Sequence, residues 1–219
     1  TLSSRGVLGG EDIACRVAQD IPDGSYVNLG IGIPTLVADF IPDGREVILH
    51  TENGMLGMGP AAEEGSEDQD LINAGKIYVT ETAGASYFHH ADSFGMMRGG
   101  HLDVCVMGAY QVSTRGDLAN WRTDNPSVIP GVGGAMGLAA GARRVFVIMD
   151  LFSRAGECKL VRDCTYPLTG PGCVERVYTD IALFETGSDG ARVLEIFDGS
   201  DLESLRERTG LELIDGRAS

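Results

Sequence analysis

The sequence predicts an α/β fold with an open, largely parallel sheet flanked by helices. Short β-branched runs alternate with helix-compatible stretches along most of the chain, as in proteins built from strand–helix–strand units. Several of these runs are apolar almost throughout, which is typical of strands covered on both faces. A chain of 219 residues can bury a substantial core, and we expect one domain over residues 1–219.

The predicted elements follow one another in a regular order. The strands are expected at residues 26–29, 46–50, 77–80, 102–107, 145–149, 176–184 and 192–197. The helices are expected at residues 11–20, 34–40, 135–142 and 201–209. The last helix has the clearest ends, because Ser200 and Glu203 fit a capping box and Gly210 suits the left-handed position after a helix. Glycine- and proline-rich segments at 54–60, 126–134 and 170–172 are expected to be loops at strand ends.

Composition excludes several classes of partner. The chain has 32 acidic and 17 basic residues, and a net charge of −15 repels nucleic acid and anionic membranes. No apolar stretch approaches the ~20 residues that span a bilayer. The five cysteines have no metal-ligand spacing, and we expect free thiols in a reducing cytoplasm and no metal site. The acidic charge would also repel an anionic substrate, so local cationic groups or helix N-termini would have to attract one.

Three glycine-bearing segments are expected where an open α/β sheet binds ligands, at the carboxyl ends of its strands. They are residues 28–34, 52–60 and 130–135. In the first, Gly30 and Gly32 lack the third glycine of a dinucleotide fingerprint, because Thr35 stands at that position. A turn whose backbone amides approach an anion and a purely structural turn are both compatible with this segment.

Glu52 lies just past the predicted strand, on an Asn-Gly turn surrounded by small residues. Its carboxylate would be presented at the sheet edge with room for a bulky group, although the residue types alone are more typical of a solvated turn glutamate. Asn53 either fixes this turn through its side chain or simply tolerates left-handed backbone geometry, and we favour the second interpretation.

Motifs along nearly the whole chain resemble the B (β) subunit of family I coenzyme A (CoA) transferases, the 3-oxoacid and 3-oxoadipate succinyl-CoA transferases. They begin with the runs NLGIGIP at 28–34 and ENGMLGMGP at 52–60, and continue with DLINAGK at 70–76 and RGGHLD at 98–103. They end with GDLANW at 116–121, GGAM at 133–136, CTYPLTG at 164–170 and TDIALF at 179–184.

The resemblance implies a CoA-transferase fold and a ping-pong reaction in which Glu52 carries a glutamyl-CoA thioester. It implies that backbone amides around Gly133, Gly134 and Ala135 bind the developing oxyanion, although a simple helix-entry turn is the alternative. Gln111 is a candidate side-chain donor to the substrate.

The resemblance also implies a partner, an A-type (α) subunit, in a heterotetramer located in the cytoplasm. The substrates would be an acyl-CoA and a small carboxylic acid, with acetoacetate and 3-oxoadipate as the leading acceptors. No cofactor is expected, because CoA itself is the substrate and the glutamate carries the intermediate.

Three positions depart from the family pattern. Leu151 replaces a histidine, Arg154 replaces a lysine, and Gly137 replaces an acidic residue near the third glycine segment. These departures are the best support for an alternative, a non-catalytic assembly or regulatory subunit with the same scaffold. A second alternative is an acyl-CoA hydrolase, in which water intercepts the glutamyl intermediate.

Overall fold

The structure is a computed structural model that describes residues 6–124, 127 and 130–217. Its helices are α1 (Gly10–Asp20), a 3₁₀ helix (Ile33–Phe40), α2 (His90–Arg98), α3 (Ala135–Gly141) and α4 (Leu202–Thr209). The first six strands are β1 (Ser25–Leu29), β2 (Val47–Thr51), β3 (Met55–Ala61), β4 (Val79–Tyr87), β5 (Val104–Gly108) and β6 (Gln111–Ser113). The others are β7 (Leu118–Ala119), β8 (Arg144–Ile148), β9 (Leu160–Val161), β10 (Val174–Tyr178), β11 (Ala182–Glu185), β12 (Arg192–Ile196) and β13 (Ile214–Asp215).

Ten strands form one sheet in the order β13-β12-β11-β10-β8-β5-β1-β2-β3-β4. The five central strands, β10 to β2, are all parallel, which confirms the predicted α/β class. Antiparallel hairpins extend both sides of this centre: β3 and β4 beyond β2, and β11 and β12 beyond β10. β6, β7 and β9 form a small separate sheet.

The sheet has an apolar core on each face, because side chains alternate along a strand. On β5, Val104 and Val106 pack in the core beneath α1 and the 3₁₀ helix, whereas Cys105 and Met107 pack in the core beneath α2, α3 and α4. Both faces of the central strands are therefore buried, which explains why these strands read as continuous apolar runs in the sequence.

Two segments differ from the sequence-based expectation. The run 176–184 is two strands, because Thr179 closes a tight turn between β10 and β11 by accepting the N–H of Ala182 at 2.9 Å. The prediction of a loop at 54–60 was wrong, since residues 55–60 belong to β3. Glycines at 57 and 59 are needed there because a Cβ at either position would overlap a threonine hydroxyl of β4.

The predicted start of the last helix also needs correction. Asp201, not Ser200, is the N-cap of α4, and its side chain accepts the N–H of Ser204 at 2.8 Å. The Ser200 hydroxyl donates instead to Asp198 at 2.6 Å. The end of the helix is confirmed, because Gly210 has a φ of 67°. In the predicted loop at 126–134, residues 126, 128 and 129 lie outside the described residues.

The described residues contain no helix long and apolar enough to cross a membrane. All five cysteines are free thiols, and Cys105 is fully buried, which raises the pKa of its thiol well above the usual range.

Candidate active site

A cavity of about 630 Å³ opens at the carboxyl ends of β1, β2 and β5. The chain leaves β1 for β2 on one side and later returns to β5 on the other, so the cavity lies at the point where the strand order reverses. The cavity brings together five of the predicted site residues, which line its wall: Gly30, Glu52, Gly133, Gly134 and Ala135.

Glu52 is held on a tight turn between β2 and β3. The N–H of Gly54 donates to the carbonyl of Thr51 at 3.1 Å, and Phe88 donates to the carbonyl of Gly54 at 3.0 Å. Gly54 has a φ of +117°, and a Cβ on it would overlap the carbonyl oxygen of Phe88. Only glycine fits this position, so the Asn-Gly signal in the sequence reflects a steric requirement of the turn.

The Glu52 side chain is half-buried and reaches across the cavity to Gly134. Its Oε2 atom occupies the space where a Cβ of residue 134 would lie, and the Phe94 ring flanks the same position. Within the described part of the chain, no hydrogen bond or ion pair engages the carboxylate. Its oxygens therefore have lone pairs available to a ligand.

Two of the three predicted oxyanion donors have amides that the described chain leaves without an acceptor. They are the N–H groups of Gly133 and Gly134. Ala135 instead donates its N–H to the carbonyl of Val132 at 3.2 Å, so that amide is committed to the turn that begins α3. Gly133 has a φ of +51°, which favours glycine at that position.

The first glycine segment makes tight backbone contacts. Gly30 donates its N–H to the carbonyl of Val106 at 2.8 Å, and a Cβ on Gly30 would lie 3.0 Å from the same oxygen. Gly32, with a φ of 89°, precedes the 3₁₀ helix, and Thr35 donates its hydroxyl to the Gly32 carbonyl at 2.7 Å. Gly30 therefore lets the end of β1 approach β5 closely. Gly32 does not line the cavity.

Asn53 and Gln111 do not face this cavity. The prediction that Asn53 adopts left-handed backbone geometry was wrong, because its φ is not positive. Its side-chain amide instead donates to the carbonyl of Ile72 at 2.7 Å. Gln111 lies in a neighbouring cavity of about 520 Å³, where it accepts the N–H of Thr165 at 2.9 Å. Tyr110 lines both cavities.

Three buried polar residues beneath the Glu52 turn were not identified from the sequence. Asn28, His50 and Ser93 are linked by hydrogen bonds, and burial lowers the pKa of His50 to about 4. A polar residue inside an otherwise apolar strand was the available signal for Asn28 and His50. Ser93 lies on α2, which the sequence patterns did not predict.

The three departures from the family pattern lie outside the wall of the Glu52 cavity. Leu151 is completely buried in the core, and Arg154 is exposed. Gly137 faces the Phe94 ring, where a Cβ would make an ordinary contact of 3.6 Å. No cluster of His, Cys, Asp or Glu suited to a metal ion occurs among the described residues.

Comparison with known proteins identifies the family of this chain. The family model described as Coenzyme A transferase matches residues 11–203, which is most of the chain. The chain belongs to the coenzyme A transferase family, as a B-type (β) subunit of family I.

Individual relatives share this assignment. The chain is 58% identical over 207 residues to the B-type subunit of the 3-oxoadipate CoA-transferase of Pseudomonas putida, covering 94% of this chain and 97% of that protein. It is 50% identical over 194 residues to the B-type subunit of a probable succinyl-CoA:3-ketoacid coenzyme A transferase of Bacillus subtilis, covering 89% of each. Among solved structures, an acyl-CoA transferase of Escherichia coli O157:H7 shares the fold with a TM-score of 0.73 at 18% identity. That match covers 99% of this chain and 43% of the E. coli chain.

Proposed function

We propose that this chain is the B-type subunit of an enzyme that transfers CoA from succinyl-CoA to a 3-oxo acid through a glutamyl-CoA thioester on Glu52. The observation that carries the proposal is the Glu52 carboxylate, which lies against Gly134 inside the cavity and has no partner among the described residues. A carboxylate without a protein partner can attack an acyl carbon and can also carry the activated acyl group between two acids.

The donor half-reaction has two steps. A Glu52 oxygen attacks the thioester carbon of succinyl-CoA, the C–S bond breaks, and a succinyl-glutamyl anhydride and CoA thiolate form. The thiolate then attacks the glutamyl carbonyl, the anhydride C–O bond breaks, and succinate leaves. Glu52 is now a CoA thioester, and no net proton or electron has been gained or lost.

The acceptor half-reaction reverses this order. The carboxylate of the 3-oxo acid attacks the Glu52 thioester carbon and releases CoA thiolate, giving a mixed anhydride. The thiolate attacks the acyl carbonyl of the 3-oxo acid, which yields 3-oxoacyl-CoA and restores the Glu52 carboxylate. Holding the thiolate in place between steps is therefore a requirement of the site.

Each attack builds negative charge on a carbonyl oxygen. The N–H groups of Gly133 and Gly134, which lack an acceptor in the described chain, are the donors we propose for that charge. Each such donor is typically worth about 3 kcal/mol of barrier. Ala135 is the weaker candidate, because its N–H already donates to Val132.

For the acceptor we favour 3-oxoadipate over acetoacetate. Two relatives named as 3-oxoadipate CoA-transferases are 58% and 55% identical to this chain, whereas two named as succinyl-CoA:3-ketoacid transferases are 50% and 46% identical.

The three departures from the family pattern lie outside the cavity wall, so they give no support to a non-catalytic subunit.

An A-type partner subunit is part of the proposal, in a cytoplasmic heterotetramer. Apolar side chains are exposed around the cavity mouth: 70% of Ile31 is accessible, and Ile72, Ile77 and Tyr78 are also exposed. Ile31 lines the cavity and lies beside Gly75, which lines it too. Exposed apolar clusters of this kind are typical of protein interfaces, and this surface supports docking of the A-type partner at the site.

The test uses this chain co-expressed with an A-type partner and supplied with succinyl-CoA. Separate reactions contain 3-oxoadipate, acetoacetate or no acceptor, and new acyl-CoA is measured by chromatography. We expect 3-oxoadipyl-CoA to form fastest, and we expect the Glu52→Ala complex to lose at least about 10³-fold in rate. Loss of succinyl-CoA without an acceptor would indicate a hydrolase. Equal turnover in the Glu52→Ala complex would support a regulatory role for this chain.

A further inference from the structure

A network of buried, hydrogen-bonded polar residues lies directly beneath the Glu52 turn. Asn28 on β1, His50 and Thr51 on β2, and Ser93 on α2 are each at most 4% exposed. Nine buried polar residues occur in the described ranges, and these four lie together. Buried polar groups are costly unless they are satisfied, so a cluster in an otherwise apolar core requires a physical explanation.

The positions of the hydrogen atoms in this hydrogen-bond network can be assigned from its geometry. The side-chain nitrogen of Asn28 donates both to the His50 carbonyl at 3.1 Å and to the His50 Nδ1 atom at 3.1 Å. A flipped amide would set its oxygen against the carbonyl oxygen, so the orientation of Asn28 is fixed. Nδ1 of His50 is therefore an acceptor, and its proton is on Nε2.

From His50 the donor-to-acceptor direction of the hydrogen bonds runs toward the Glu52 turn. The Nε2–H of His50 donates to the Ser93 hydroxyl at 2.9 Å, and that hydroxyl donates to the Thr51 carbonyl at 3.2 Å. The same carbonyl accepts the N–H of Gly54 at 3.1 Å, the bond that closes the turn. Both ring nitrogens of His50 are occupied, so the imidazole lines the cavity with its one lone pair already engaged by Asn28.

We propose that Asn28, His50 and Ser93 are positioning residues, which fix the Thr51–Glu52 peptide plane and so set where the Glu52 carboxylate lies. The inference rests on the proposed function of Glu52. The carbonyl of Thr51 and the amide of Glu52 share one rigid plane, so a rotation of that carbonyl moves the Glu52 Cα. A displacement of about 1 Å at a reacting group can cost about 100-fold in rate.

The test compares Ser93→Ala with Thr186→Val in the complex with the A-type partner. Both variants remove a buried hydroxyl that donates to a backbone carbonyl, but the Thr186 bond to Val174, at 2.6 Å, is next to β11, far along the sheet from Glu52. We expect Ser93→Ala to lower kcat by about 10- to 100-fold with a change in KM for succinyl-CoA of less than about threefold. We expect Thr186→Val to keep kcat within about twofold.

A second variant guards against a failure of Ser93→Ala to fold. Ser93→Cys keeps the shape of the side chain but provides a weaker donor, and its kcat should fall between those of the wild type and Ser93→Ala. A kcat within about threefold of wild type in both Ser93 variants would overturn the inference, as would an equal loss in Thr186→Val. A wild-type complex that forms no CoA adduct on Glu52 would instead contradict the proposed function itself.

Discussion

The Oε2 atom of Glu52 lies in the space where a side chain on residue 134 would begin. The hairpin turn after β2 and the segment before α3 therefore meet at a point where only glycine leaves room for the carboxylate. This contact places the proposed nucleophile beside Gly134, whose N–H, like that of Gly133, has no acceptor in the described chain.

Replacing Gly134 with alanine should impair activity without unfolding the protein. The new Cβ would overlap the Glu52 carboxylate, which is the flexible end of a side chain and can move at little cost to stability. We expect kcat to fall at least about tenfold while the free energy of unfolding changes by less than about 1 kcal/mol. Steady-state kinetics and denaturant titration measure the two quantities.

Gly137→Ala, three residues further along in α3, is the matched control. Its Cβ would contact the Phe94 ring at 3.6 Å, an ordinary distance, and Gly137 is outside the cavity wall. This variant should keep kcat within about twofold. A Gly134→Ala enzyme as active as the control would contradict the described position of Glu52.

Gly54→Ala should destabilise the fold. The Cβ would overlap the Phe88 carbonyl, which is backbone and cannot move aside, and the φ of +117° is strained for any other residue. We expect a loss of about 3 kcal/mol in unfolding free energy. Gly65→Ala separates the two causes, because Gly65 has a φ of +86° with open space around it. That control should cost only about 1 kcal/mol, and an equal loss in both variants would exclude the clash at Phe88.

Burial of His50 predicts a pH dependence of stability. In the unfolded chain a histidine takes up a proton near pH 6.5, whereas burial lowers the pKa of His50 in the folded protein to about 4. The contribution of the neutral, buried His50 to the free energy of unfolding is therefore full above about pH 6.5 and is lost progressively as pH falls toward 4. Between about pH 7 and pH 5 the loss should be about 2 kcal/mol.

Denaturant titrations at about pH 7, 6 and 5 measure this effect. The His50→Gln variant should show a flatter profile than wild type, because it has no imidazole to protonate. Parallel profiles for wild type and His50→Gln would contradict the assignment.

A group of half-buried ion pairs holds α1 to β10. The Asp20 carboxylate accepts from Arg16 at 2.8 Å, from Arg176 at 2.6 Å and from the Tyr178 hydroxyl at 2.7 Å. Burial alone would raise the pKa of Asp20, but the hydrogen bonds from Arg16 and Tyr178 outweigh it and lower that pKa. Asp20→Asn should cost about 2 kcal/mol, because it removes the negative charge that the two guanidinium groups share.

The exposed Arg115–Asp163 pair provides the comparison for Asp20. Asp163→Asn should change stability by less than about 1 kcal/mol, as is usual for surface pairs. Thermal unfolding of both variants measures the difference. Similar losses in the two would show that burial does not strengthen the Asp20 group.

Sequence patterns predicted the parts of the fold that depend on local features. The central strands are apolar on both faces, and Gly210 ends α4 as its left-handed position requires. β3 and α2 could not be predicted in the same way. β3 is rich in glycine because β4 packs closely against it, and α2 has few apolar residues at helical spacing.

The same reasoning applies to the site. Glu52 and its glycine turn have a sequence signature, because the turn is local and needs Gly54. The bond from Ser93 to Thr51 joins residues far apart in the chain, so no local pattern encodes it. Gln111 was a plausible donor by residue type, but its amide bonds Thr165 in a neighbouring cavity, a contact that only the folded chain determines.

Intact-protein mass spectrometry tests the central claim most directly. The complex with the A-type partner is mixed with succinyl-CoA, and the mass of this chain is measured for wild type and Glu52→Ala. We predict a CoA-sized increase on wild type, located by peptide mapping at Glu52, removed by hydroxylamine and absent from the variant. An adduct that persists in Glu52→Ala, or no adduct on a wild-type complex that turns over, would contradict the assignment of Glu52 as the nucleophile.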